Sequence, residues 1–149
     1  MSRVLHLGHL VRRFFGSLSR REPDVADSRW VDSQLLDGEA RLWHRMSAAD
    51  RRHSIAVGRR FESLGGPWSR EEVAGALLHD VGKLDAELGA LARVAATIVG
   101  PRTDLFRRYH DHERIGAGLL AAAGSSPVTV ELVLGRGRAA GVLAEADNL

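Results

Sequence analysis

The stretch ALLHDVGKLD, residues 76–85, runs three aliphatic residues straight into an adjacent imidazole and carboxylate, His79 and Asp80. Histidine and aspartate are hard-to-borderline ligands, and together they suit divalent first-row metals. The question is whether other residues of the same type point the same way. Helical spacing says that they do. In the segment around residue 73, Val73, Ala76, Leu77 and Asp80 fall at i, i+3, i+4 and i+7, so Asp80 is expected on a buried stripe. His53 heads a second stripe with Ala56, Val57, Arg60, Phe61 and Leu64. His112 lines up with Ile115, Gly116 and Leu119, and Asp147 with Ala140, Leu143 and Ala144. A lone histidine on an apolar face is ordinarily a satisfied core residue. Carboxylates there are costlier, because a buried charge without a partner loses several kcal/mol or neutralises. One divalent cation would compensate both Asp80 and Asp147. It would also acidify a bound water and polarise a phosphoryl oxygen.

The elements that must position these residues read as helices throughout. The helical period recurs and strand alternation hardly appears, so the expected class is all-α, with about seven helices. A first helix over residues 3–15 carries an apolar stripe, and the polar stretch GSLSRREPDVADS follows it as a linker. That divides the chain into an amphipathic N-terminal helix with its linker, 1–28, and one domain, 29–149. A long second helix is expected from Asp27 to Met46, with Trp30, Leu35, Leu36, Leu42 and Trp43 facing inward. Ser47, with Asp50 three residues on, opens a third helix that ends near Leu64. Ser69 with Glu72 forms a full capping box and opens a fourth, which carries His79 and Asp80. A fifth is expected over 86–99 and a sixth over 111–123. Pro127 suits the first position of a short seventh, and a terminal helix runs over 139–147.

Composition excludes several functions. The 149 residues suit one domain, and 44% hydrophobic content allows a sizeable core. The net charge is only +2, from 21 basic and 19 acidic residues, so no broad cationic surface for nucleic acid is expected. There is no cysteine, which rules out disulfides, thiolate metal sites and cysteine catalysis and fits a cytoplasmic protein. No apolar run approaches the roughly 18 residues of a membrane span.

The order of the polar landmarks resembles the HD-domain metal-dependent phosphohydrolases, whose signature is H…HD…D. Here it reads His53, then His79-Asp80, then Asp147. RRHSIAVGRR resembles the helix of the first histidine, ALLHDVGKLD the family's LLHDIGK segment, HDHERIGAGLL its HPEIGAELL segment, and VLAEADNL the segment of the last aspartate. The likeness covers roughly residues 40–149. It implies an HD-domain-like helical bundle around a divalent metal (Mn, Fe, Co, Ni, Zn or Mg) and hydrolysis of a small phosphate ester, with nucleotides among the substrates. His53, His79, Asp80 and Asp147 would bind the metal. Asp80 would also take a proton from the attacking water, and Lys83 would hold substrate phosphate. His110 and His112 could supply a second metal. However, the His-His-Glu run of binuclear members has no counterpart in LVLGRGR, so one metal, or a weak second, is expected. Arg136 and Arg138 could draw an anionic substrate towards the site, and the chain could pair as a homodimer. The alternative is a non-catalytic HD protein that keeps the fold but acts by binding a ligand or partner.

Overall fold

The computed structural model describes residues 19–86 and 103–149, with side chains over 19–84 and 112–149. The expected helices over 3–15 and 86–99 lie outside the described residues, save for Ala86. The fold is all-helical, and no strand occurs among the described residues. The described residues hold seven α-helices: α1 (Val25–Gln34), α2 (Asp37–Arg45), α3 (Ala48–Ser63), α4 (Arg70–Leu77), α5 (Thr103–Ala122), α6 (Pro127–Val133) and α7 (Ala140–Asn148). A 3-10 turn, Val81–Ala86, follows α4. Among the described residues, no helix is long and apolar enough to cross a membrane.

Several helix starts are where local chemistry demands them. The Ser47 hydroxyl accepts from the Asp50 amide at 3.1 Å. Ser69 Oγ accepts from the Glu72 amide, and the Glu72 carboxylate accepts from the Ser69 amide at 2.8 Å, closing the capping box. Ser126 caps α6 with Pro127 at its first turn. Each cap satisfies amides that the first helical turn leaves without a carbonyl.

α4 lies at the centre, packed on α1, α3 and α6, while α7 packs on α3 and the 3-10 turn is held between α2 and α5. Trp43, Val57, Phe61, Leu77, Leu78 and Leu120 are fully buried between these elements. Trp43 keeps its indole N–H satisfied by donating to Ser54 Oγ at 2.8 Å.

Four expectations need correction. The single helix over 27–46 is two helices. The chain turns extended at Leu35 and Leu36, and the Glu39 carboxylate accepts from the Leu36 amide at 2.8 Å, which restarts the helix. Leu36 therefore sits at a break and is 42% exposed, not inward-facing. The boundary at 28/29 falls inside α1, because Asp24 caps that helix by accepting from the Ala26 amide at 2.7 Å. α5 starts at Thr103, a full two turns before residue 111. Finally, α4 stops at Leu77, so His79 and Asp80 stand in a turn between α4 and the 3-10 segment. The cause lies at Gly82. A Cβ there would overlap the His112 carbonyl of α5, and one on Gly116 would stand 3.1 Å from the Gly82 nitrogen. The chain bends to bring its backbone against α5, which a continued α4 would not do.

Candidate metal centre

Two helices and one turn meet at these residues. α3 brings His53, the turn after α4 brings His79 and Asp80, and α7 brings Asp147. His53 Nε2 lies 2.9 Å from Asp147 Oδ1, and His79 Nε2 lies 3.4 Å from the same oxygen. Asp80 Oδ2 is 3.6 Å from His79 Nε2 and 4.0 Å from His53 Nε2. Donors bound to one ion at about 2.1 Å are separated by about 3.0–3.5 Å for octahedral to tetrahedral angles. The observed separations bracket that range. His53, His79 and Asp147 each offer a ligand atom within 4.8 Å of the others, so this group could hold a metal ion.

The His79 ring shows the most about the site. Its Nδ1–H donates to the Ala76 carbonyl at 2.8 Å. That bond fixes the tautomer and leaves the lone pair on Nε2, as in metal-ligating histidines, whose other ring N–H donates to a carbonyl or carboxylate. Nε2 is buried, and its nearest polar neighbours, Asp147 Oδ1 at 3.4 Å and Asp80 Oδ2 at 3.6 Å, are carboxylate oxygens with no proton to offer its lone pair. A buried polar nitrogen of this kind is costly unless something accepts its lone pair. The donor set and the orphaned nitrogen both fit a divalent cation.

The electrostatics point the same way. Burial pushes the His79 pKa down, but Asp147 and Asp80 outweigh it, and the net displacement is upward. Burial pushes the Asp80 carboxyl up, but His79, Lys83 and His53 hold it below the ordinary carboxylate range. Asp147 is held far below that range, first by its hydrogen bond with His53 and then by His79. The cluster therefore draws a positive charge into itself. Without an ion, a proton on imidazole fills that role.

Lys83 reaches the site by a different route from the one expected. Helical spacing from His79 does not apply, since the segment is a 3-10 turn. Instead Lys83 Nζ pairs with Asp80 Oδ2 at 2.6 Å, three residues back. His112 is half-buried, its Nδ1 has no hydrogen-bond partner, and it lines the same cleft as His79, Asp80 and Lys83. His110 lies in α5, but its side chain is outside the described residues. Arg136 and Arg138 do not line the cleft. Arg136 pairs with Glu131 at 3.6 Å, and Arg138 Nε with Glu72 at 2.7 Å.

The cleft has a volume of about 330 Å³. Glu113, Asn148 and the wall from α6 also line it, and sequence spacing did not single these out. Leu132 and Val133 read as ordinary core residues in the sequence. Nothing in their spacing marks the side of α6 that borders the cleft.

No protein-family model matches the chain, and no curated protein or solved structure gives a significant match.

Proposed function

We propose that this protein is a metal-dependent phosphohydrolase of the HD type, acting on a small phosphate ester. The observation that carries the reading is the orphaned, tautomer-fixed His79 Nε2 facing His53, Asp80 and Asp147. Two imidazoles with carboxylates favour Mn, Fe, Co, Ni or Zn over Mg, which prefers an all-oxygen shell. A bound divalent ion would supply charge that acidifies water and polarises a phosphoryl oxygen. The chain's own groups would do the rest. His53, His79 and Asp147 would hold the ion, with the Asp80 carboxylate beside them. Asp80, kept ionised by its neighbours, accepts a proton from water at a carboxylate oxygen. Lys83 exchanges Asp80 for a phosphate oxygen when substrate enters the cleft.

The Lys83–Asp80 pair also favours a second reading, a non-catalytic HD protein. A lysine that stays on Asp80 Oδ2 removes one ligand oxygen and leaves a binding module. One experiment separates the two. The purified protein is assayed for bound metal by elemental analysis, then for hydrolysis of generic and nucleotide phosphoesters with Mn²⁺, Co²⁺, Ni²⁺ and Zn²⁺. Turnover that disappears in Asp80→Ala supports the hydrolase. Bound metal with no turnover supports the binding module. No metal uptake at all sinks the hydrolase.

A further inference from the structure

The cleft beside the cluster has two chemically distinct kinds of lining. Its charged and imidazole lining is His79, Asp80, Lys83, His112, Glu113 and Asp147. The rest of its described lining is mostly aliphatic, with Leu132 and Val133 of α6 and Ala140, Leu143 and Ala144 of α7 forming one wall. The α7 residues and Asp147 lie at i, i+3, i+4 and i+7, so the wall and the ligand carboxylate share one helix face. The wall begins about one helical turn, roughly 5.4 Å, from Asp147. Asn148 also borders the cleft, but its side-chain amide is already engaged, donating to the Ala144 carbonyl at 2.7 Å. The α6–α7 side thus offers hydrocarbon where a nucleobase would need hydrogen bonds or a stacking ring.

Charge narrows the choice further. With a divalent ion present, Asp80, Asp147 and Glu113 balance the ion together with Lys83 among the described lining residues. A neutral cleft with one lysine does not favour a polyphosphate carrying about four negative charges. A phosphate monoester is the better match.

Resting on the hydrolase reading, we infer that the substrate is a phosphate monoester of an aliphatic alcohol, with its hydrocarbon chain laid along the α6–α7 wall. The Mn²⁺-loaded full chain is tested with ethyl, butyl and hexyl phosphate beside nucleoside mono- and triphosphates. The expected result is a rise in kcat/KM of about fourfold per buried methylene, with hexyl phosphate ahead of every nucleotide. A flat series, or a preference for nucleotides, overturns the inference. Calorimetric titration with ethyl-, butyl- and hexylphosphonate reads the same wall without turnover. Phosphonate affinity that climbs with length in a protein that hydrolyses nothing upholds the wall and sinks the hydrolase. Turnover without a length dependence does the reverse. Ala144→Asn should reduce the gain to about twofold or less per methylene with metal content unchanged. An unaltered slope in that variant counts against the assignment.

Discussion

Glu39 and Asp147 are both carboxylates drawn away from bulk water, and they are met by different kinds of group. Glu39 is fully buried, and three donors converge on it: the Leu36 amide at 2.8 Å, Arg70 Nη1 at 3.1 Å and the Ser125 hydroxyl at 2.8 Å. Glu72 is treated alike, by the Ser69 amide and the Arg138 guanidinium. These donors do not titrate: an amide, a hydroxyl and a guanidinium all keep their protons at any ordinary pH. Asp147 instead faces two imidazoles, whose nitrogens either donate or accept. The first environment closes on its carboxylate and converts it into stability. The second leaves its charge partner open, and a proton or a cation can take the place. The two carboxylates thus differ in their partners as well as in exposure, Glu39 being fully buried and Asp147 34% exposed.

The largest expected effect tests the open site. Asp147→Asn keeps the shape and removes the charge, and should lower Mn²⁺ or Zn²⁺ affinity by more than about 100-fold, beyond the loss typical of outer-shell partners. Urea denaturation of the metal-free variant should show a loss of about 1–2 kcal/mol near neutral pH, because the partly exposed pairs with His53 and His79 go with the charge. A variant that loses stability but keeps its metal would reverse the comparison. Glu39→Ala should show the opposite pattern: a loss of about 2–4 kcal/mol in urea with metal affinity unchanged by titration calorimetry.

The pH response sharpens the contrast. The folded pKa of His79 is raised, so its contribution to metal-free stability is complete below the unfolded value of about 6.5 and fades as pH climbs through the folded value. A metal must displace that proton. Affinity should therefore strengthen by up to about tenfold per pH unit for each proton released, measured by calorimetry across the neutral range. At Glu72 the sign is opposite. Burial raises its pKa, but Ser69 and Arg138 more than offset this, so its folded value is lowered. Its stabilisation is present above the unfolded value of 4.5 and is lost as pH falls through the lower folded value. Arg138 is largely exposed, so Arg138→Ala should cost only about 0.5–1 kcal/mol at neutral pH. That small loss should vanish in acid, as followed by denaturation at several pH values. A loss that stays constant with pH would show that Arg138 acts through its packing on Trp68, 5.0 Å from the ring centroid, and not through charge.

Caps at Ser47, Ser69 and Ser126-Pro127 were legible, or nearly so, because donor and acceptor lie within three residues. The convergence of His53 and Asp147 was legible too, since both lie on apolar stripes of a small bundle, whereas His79 lies off its helix's stripe and was reached only beside Asp80 and through the H…HD…D resemblance. The break at Leu36 was not. A leucine at a cap position carries no side-chain signal, and Glu39 supplies only half of a capping box. The burial of Glu39 was equally hidden, because its partners Arg70 and Ser125 come 31 and 86 residues later. Asp80 reached the site for a reason the spacing did not contain. Helix-forming residues continue through Leu78, and the turn is imposed by the approach of Gly82 to α5.

That approach has a further consequence. Where Gly82 meets His112 and Gly116, main chain rests on main chain with no side chain between them. Such a joint has no rotamers to explore and little compliance. Asp80 and Lys83 flank it, and His112 forms its other half. The turn that presents Asp80 thus loses its conformational freedom when the bundle folds, well before any ion arrives. Ion capture then leaves little disorder to remove, and should proceed with a small entropic penalty for a site assembled from two helices and a turn.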